Sequence, residues 1–296
     1  MNLKPELIAQ LERVLSSVEM LLPRAIPAID WSKSHAANWR RHSFSGYLEP
    51  VKFTDTTTLD ELLGVEEQKT IMINNTRQFL AGLPANNALL WGSRGSGKSS
   101  LCKALLNEFA HQGLRFIQVE KEDLIYLSEI FNAVEHEPYR FILLCDDLTF
   151  EVGELSYKML KSALDGSVYS APENVLIYVT SNRRHLLPEY ETDHLGGKFV
   201  RGELQQSEAM EEKVSLSDRF GIWVAFYAFS QERYIDAVRL CIAREARQNK
   251  IEIPWSSELE HEAIKWAQEK SKRCGRTAYQ FSRNWVGHHL LTIRGV

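Results

Sequence analysis

Gly92, Gly97, Lys98 and Ser99 stand at the spacing G-x-x-x-x-G-K-[ST] within "WGSRGSGKSS". Glycines at that spacing let the backbone turn tightly enough for consecutive N–H groups to face phosphate oxygens. A following helix adds the positive end of its dipole. In such a Walker A loop the Lys98 ammonium reaches the β- and γ-phosphates, and the Ser99 hydroxyl binds Mg²⁺. Ser93, Arg94, Gly95, Ser96 and Ser100 belong to the same cradle and count with it as nucleotide-binding, although the side chains of Arg94 and Ser100 have no separate role. Read alone, the stretch specifies only that phosphate is bound; its neighbours narrow this to ATP with Mg²⁺.

A Mg-nucleotide site also needs a carboxylate beside the metal, and "FILLCDD" ends an apolar run with Asp146 and Asp147. Asp146 would hold Mg²⁺, directly or through water. Asp147 would activate the attacking water as a Walker B-type base. Nucleotide hydrolases of this kind more often carry Glu there. Asp is one methylene shorter, so Glu151 and Glu154 stand as alternatives.

These residues need strand ends and helix starts to carry them. Short apolar runs fall at 88–91, 115–119, 140–145, 174–180 and 222–229, with helical patterns between them at 97–110, 122–135 and 153–165. Alternating strands and helices predict a mostly parallel sheet flanked by helices. "RFILLC" is apolar on successive residues, as a strand buried on both faces should be. A helical pattern at 64–81 ends at Gly82, just before Pro84. Three helical patterns, 231–249, 256–272 and 277–291, close the chain.

The division expected is a largely helical segment over 1–62, an α/β core over 63–229 and a helical unit over 230–296. Leu7, Leu11, Val14, Leu15 and Val18 form one helical stripe. "WSKSHAANWRRHS" sets Lys33, Arg40 and Arg41 beside Trp31 and Trp39, either as a basic-aromatic surface for nucleic acid or as two packing tryptophans in a connector. Packing is the preferred reading. Residues 183–215 interrupt the alternation with a charged, glycine-containing excursion of the length that is usually functional.

The 296 residues carry 44% hydrophobic and 25% charged residues, an ordinary soluble composition, and a net charge of −4 that gives no global attraction to nucleic acid. The C-terminal 67 residues are modestly basic, with twelve Lys and Arg against eight Asp and Glu, which keeps nucleic acid open as a partner. Four cysteines without zinc spacing fit a reducing compartment. No apolar run approaches the ~18–20 residues of a membrane span, and the N-terminus shows no secretory pattern. The expected location is cytoplasmic, without a membrane partner.

In its order of motifs the chain resembles the AAA+ ATPases. Through "GVEEQK", "ANNALLWGSRGSGKSSL", "CDDLTFE" and "TSNRRHLL" it is similar to a bacterial family of predicted AAA+ ATPases known as domain of unknown function 815. The resemblance covers roughly residues 45–290. It implies a P-loop AAA+ core with a five-stranded parallel sheet and a small all-helical C-terminal lid. It implies that Asn182, ending "VLIYVTSN", polarises the attacking water. It implies that Arg219 in "SLSDRFG" is an arginine finger reaching a neighbouring subunit's γ-phosphate. Arg276 in "CGRTAYQF" would touch the γ-phosphate in cis, with Lys272 and Arg273 as competitors. Gly64, Val65 and Glu66 would line the adenine pocket.

A homo-oligomer assembled with nucleotide, hydrolysing ATP at a subunit interface to remodel a macromolecular client, is the function so implied. A slow nucleotide-gated switch is the rival, because Asp147 stands in place of Glu. A P-loop kinase fits the helical tail and Asn182 less well. Tyr126 and Phe131 could mark a pore loop, but their helical spacing with Leu124, Leu127 and Ile130 places them in a core stripe.

Overall fold

The computed structural model describes residues 13, 28–42, 45–52, 55–151, 154–165, 171–184, 186, 198–200, 203–205 and 216–294. The N-terminal helical stripe and most of the 183–215 excursion lie outside these residues. Of that excursion, Lys198–Val200 and Glu203–Gln205 pair as a short antiparallel ribbon, β7 and β8.

Five strands form the parallel core: β3 (Ala88–Gly92), β4 (Leu114–Gln118), β5 (Arg140–Cys145), β6 (Val175–Ser181) and β9 (Ile222–Phe226). Their order is β4-β5-β6-β3-β9. Phe141, Ile142 and Leu143 of β5 are wholly buried, and every residue of β6 is buried. Burying each such side chain is worth about 1.5–3 kcal/mol, which is why unbroken apolar runs end up central. Helices α1 (Glu66–Leu80), α2 (Lys98–Phe109), α3 (Leu127–Asn132) and α4 (Leu155–Leu164) flank the sheet. Tyr178 of β6 pins α1 from within: its hydroxyl accepts from Asn75 Nδ2 at 3.0 Å and lies 3.2 Å from Thr76 Oγ1. Burial pushes this phenol up to about 12.

The sheet has seven strands rather than five. Inside the segment expected to be largely helical, β1 (Ala36–His42) and β2 (Ser45–Val51) pair antiparallel as the two arms of a hairpin, and β1 joins the sheet parallel to β4. Trp31 and Trp39 are core residues, and Trp31 meets Phe141 edge-on with centroids 4.9 Å apart. Arg40 pairs with Glu49, Arg41 with Asp123 and Lys33 with Asp30. The stretch is a packed edge whose cations are matched. Leu124, Leu127, Ile130 and Phe131 are likewise buried, and Tyr126 packs at 6.4 Å from Trp39. Residues 121–126 are a 3-10 turn that leads into the short α3.

The C-terminal unit packs α5 (Gln231–Gln248), α6 (Ser257–Glu269) and α7 (Gly275–Arg294) around Tyr234, Val238, Ala263 and Ala278. Ser230 and Ser256 cap α5 and α6 by accepting from Arg233 N and Leu259 N. Among the described residues no helix is long and apolar enough to cross a membrane.

One buried cation ties the hairpin to the core. Arg115, 4% exposed, donates to the carbonyls of Trp31, Ala110 and Leu114 at 2.8–2.9 Å and stacks 4.1 Å from the Tyr139 ring. Replacing it by Met would leave three carbonyls without their donor. Arg115→Met is expected to cost roughly 3 kcal/mol, seen as a melting temperature lower by about 5 °C or more. An unchanged melting temperature would show that the carbonyls find other donors.

Candidate functional site

The strand–loop–helix from Ala88 to Phe109 folds as its spacing dictates. Gly92 has φ 127°, and a Cβ there would lie 2.0 Å from the Phe226 carbonyl oxygen, so only glycine lets the loop leave β3 against β9. Gly95 has φ 77°, and a Cβ there would sit 2.8 Å from Cys274 Sγ. The loop therefore abuts the start of α7 directly, and Arg276 N donates to Gly95 O at 3.4 Å.

Lys98 begins α2 and is 7% exposed. Its three ammonium donors go to Gly92 O and Ser93 O, each at 2.9 Å, and to Asn182 Oδ1 at 3.2 Å. Burial pushes its pKa down, Asp147 and Asp146 oppose that shift, and Arg276 and Arg94 reinforce it. Asn182 uses both ends of its amide: the oxygen accepts from Lys98 and the nitrogen donates to Asp147. An aspartate at 182 would set two carboxylates against one another. The isosteric leucine would strand both partners.

Asp146 and Asp147 follow β5, exposed at the sheet's end. Asp146 Oδ1 accepts from Ser99 Oγ and from Thr180 Oγ1, each at 2.5 Å. Asp147 adopts φ 53°, a left-handed conformation that Asp tolerates better than most residues. Its N–H donates to Thr180 Oγ1 at 2.9 Å. Thr180 thus clasps both aspartates, yet motif reading passed over it. The signal was its place two residues before Asn182, on the same side of the chain.

These groups share one cleft of about 770 Å³, a size that suits a nucleotide. Its phosphate end is lined by Arg94, Lys98, Ser99, Asp146, Asp147, Thr180, Asn182 and Arg276. Gly95, Ser96, Gly97 and Ser100 line it from the loop. Gly92 and Ser93 contribute through the carbonyls that hold Lys98. Val65 lines the far end, as do Leu62 and Leu63, while Gly64 and Glu66 face a neighbouring groove.

Arg219 lies elsewhere: it pairs with Asp165 and does not line the cleft. Neither do Glu151 and Glu154; the Glu154 carboxylate accepts from Glu151 N and Lys121 Nζ instead. Lys272 and Arg273 do not line it either, so of the three candidates only Arg276 does; Arg244 of the same helical unit lines the other end. Three cations and two carboxylates therefore surround a cradle of loop N–H groups. The Ser99 hydroxyl beside the Asp146 carboxylate is an all-oxygen donor set of the kind Mg²⁺ prefers.

Fold and site together are those of a P-loop protein with an AAA+-type core. The chain belongs to the family described as "Protein of unknown function (DUF815)", whose model matches residues 32–289. No curated protein matches it. Among solved structures it is similar to the Thermotoga maritima RuvB Holliday junction branch migration motor, at 17% identity and TM-score 0.53, covering 81% of this chain and 67% of that one. A proline-to-glycine mutant of the same RuvB gives TM-score 0.55 at 14% identity, covering 82% and 69%. The replication initiator DnaA, bound to AMPPCP and single-stranded DNA, gives 0.52 at 16%, covering 83% and 67%. At these identities the likeness is one of fold.

Thr180→Val keeps the shape and removes the hydroxyl that orients Asp146. It is expected to raise the Mg²⁺ concentration needed for nucleotide binding about 10-fold or more, read by titrating Mg²⁺ against a fluorescent ATP analogue. An unshifted titration would remove Thr180 from the metal's support.

Proposed function

We propose that the chain binds ATP with Mg²⁺ in this cleft and hydrolyses it at an interface between copies of itself, using the cycle to remodel a macromolecular partner. The observation that carries the reading is Asn182, which joins the Lys98 ammonium to the Asp147 carboxylate beside the Ser99–Asp146 pair. Lys98 and Arg276 supply positive charge where the γ-phosphoryl oxygens gain negative charge. Asp147, oriented by Asn182 and Thr180, takes the proton of the attacking water. Mg²⁺, held by Ser99 and Asp146, would neutralise phosphate charge when bound.

Arg219 is the proposed finger for a neighbour's site. Its pairing with Asp165 means that engagement in trans must compete with, or share, that carboxylate. Assembly and catalysis are then coupled, and a homo-oligomer formed with ATP is part of the reading. We place the protein in the cytoplasm. RuvB is a branch migration motor and the DnaA structure holds single-stranded DNA, so a nucleic-acid client is the first to test. A slow nucleotide-gated switch is the second reading, favoured by the short Asp147 side chain and its left-handed backbone.

Lys98→Ala is expected to weaken ATP binding about 100-fold or more, and retained affinity would refute the site. Arg219→Ala is expected to lower turnover about 10³-fold with ATP affinity near wild type. Unchanged turnover would remove Arg219 from the finger role. Light scattering with and without ATP reports assembly; a fully active monomer would defeat the interface model. Wild-type turnover far below one per minute, with assembly intact, would favour the switch.

A further inference from the structure

The cleft has a second end. Away from the phosphate loop its wall is apolar, with Leu62 and Val65 on one side and Ala237, Leu240 and Cys241 of α5 on the other. With phosphates fixed at Lys98, this is where a nucleoside must lie. Polar contacts at this end take no part in the phosphate chemistry. Arg244 of α5 donates from Nη1 to Glu61 Oε2 at 3.2 Å and from Nη2 to Thr56 Oγ1 at 3.4 Å. The same Glu61 oxygen accepts from Thr58 N at 3.1 Å, so the carboxylate is already oriented by its own turn when Arg244 meets it. Glu61 and Arg244 both line the cleft, with side chains 28% and 31% exposed.

The segment carrying Glu61 is also fixed on its opposite flank. Asn107 of α2 donates to the carbonyls of Asp55 and Thr57, both at 2.9 Å. Lys103 of α2 pairs with Asp55 at 3.2 Å. Residues 55–61 are therefore bound on one side to the helix that begins at Lys98 and on the other to the C-terminal helical unit.

We propose that Glu61 and Arg244 are positioning residues that clamp α5 across the nucleoside end of the cleft and set how fast nucleotide leaves. The proposal rests on the ATP reading of the cleft. A partly exposed ion pair is weak enough to open at little cost, as a gate requires, and its charge makes it sensitive to salt. The pair does not touch the phosphate-end groups, so its loss acts on nucleotide residence through the cleft wall. ATP and ADP, which share the nucleoside, are affected alike.

The test is release of a fluorescent ATP or ADP analogue from the full chain by stopped flow. Arg244→Met and Glu61→Gln are each expected to release both nucleotides about fivefold faster, the size a pair of this exposure supports. The double variant should release no faster than the singles, because both remove one interaction. Raising ionic strength should speed release from wild type more than from the variants, which keep only the charged contacts of the phosphate end. If Arg244→Met does not fold, Arg244→Lys keeps the charge without the paired donors and is expected to fall between.

Additive single effects, or equal salt responses, would assign the losses to packing and overturn the clamp. Wild-type release rates in variants of a chain that does bind nucleotide would overturn the clamp alone. A wild type that binds no nucleotide overturns the ATP reading and the clamp with it.

Discussion

The ammonium of Lys98 is buried, and a buried ammonium must have its three donors satisfied. Two are met by carbonyls of its own loop, which curls the glycine-rich backbone around it. The third is met by Asn182, 84 residues away and just past the end of β6. That bond adds a side-chain tie at the ends of β3 and β6, which pair as neighbours in the sheet. Asn182 and Thr180 then reach across to β5 and hold both aspartates. The strand order does the rest: β6 lies between β3 and β5, so one strand end can touch the phosphate loop and the acidic pair at once.

Around this centre the other parts act as walls. The C-terminal helical unit comes close to the loop because Gly95 has no side chain, letting the backbone before Arg276 reach the glycine's carbonyl. The segment 55–61 closes the opposite end, and it does so as a stretched bridge whose polar groups are shared between α2 and α5. The N-terminal hairpin widens the sheet on its far side, away from the chemistry. Arg115 anchors it through carbonyls rather than a carboxylate. Burial works against the arginine's charge, and the Tyr139 hydroxyl opposes that shift.

At its phosphate end the cleft sets Lys98, Arg94 and Arg276 against Asp146 and Asp147, three cations to two carboxylates, which suits an anionic group there. Burial holds the Lys98 pKa down; Asp147 and Asp146 oppose that shift, and Arg276 and Arg94 add to it by repulsion. A phosphate group would relieve that repulsion where the loop's N–H groups converge. Stabilising such a charge needs little reorganisation, because the groups are already placed by packing.

Local spacing determined what local backbone geometry controls. The glycines and Lys98–Ser99 specify a phosphate loop because its shape is set within eight residues, and "RFILLC" specifies a central strand because its run of apolar residues suits burial on both faces. Trp31 and Trp39 could be assigned to packing on the same kind of evidence. The paired strands within 36–51 were not legible, since their alternation is short and one of their arginines, Arg41, takes its partner on another element, at Asp123. Thr180, the Arg219–Asp165 pair and the Glu61–Arg244 clamp were hidden too. Glu61 and Arg244 are 183 residues apart. Which distant side chains meet depends on strand order and on how helices lie across the sheet. Spacing along the chain carries no record of either, and only the folded structure decides them.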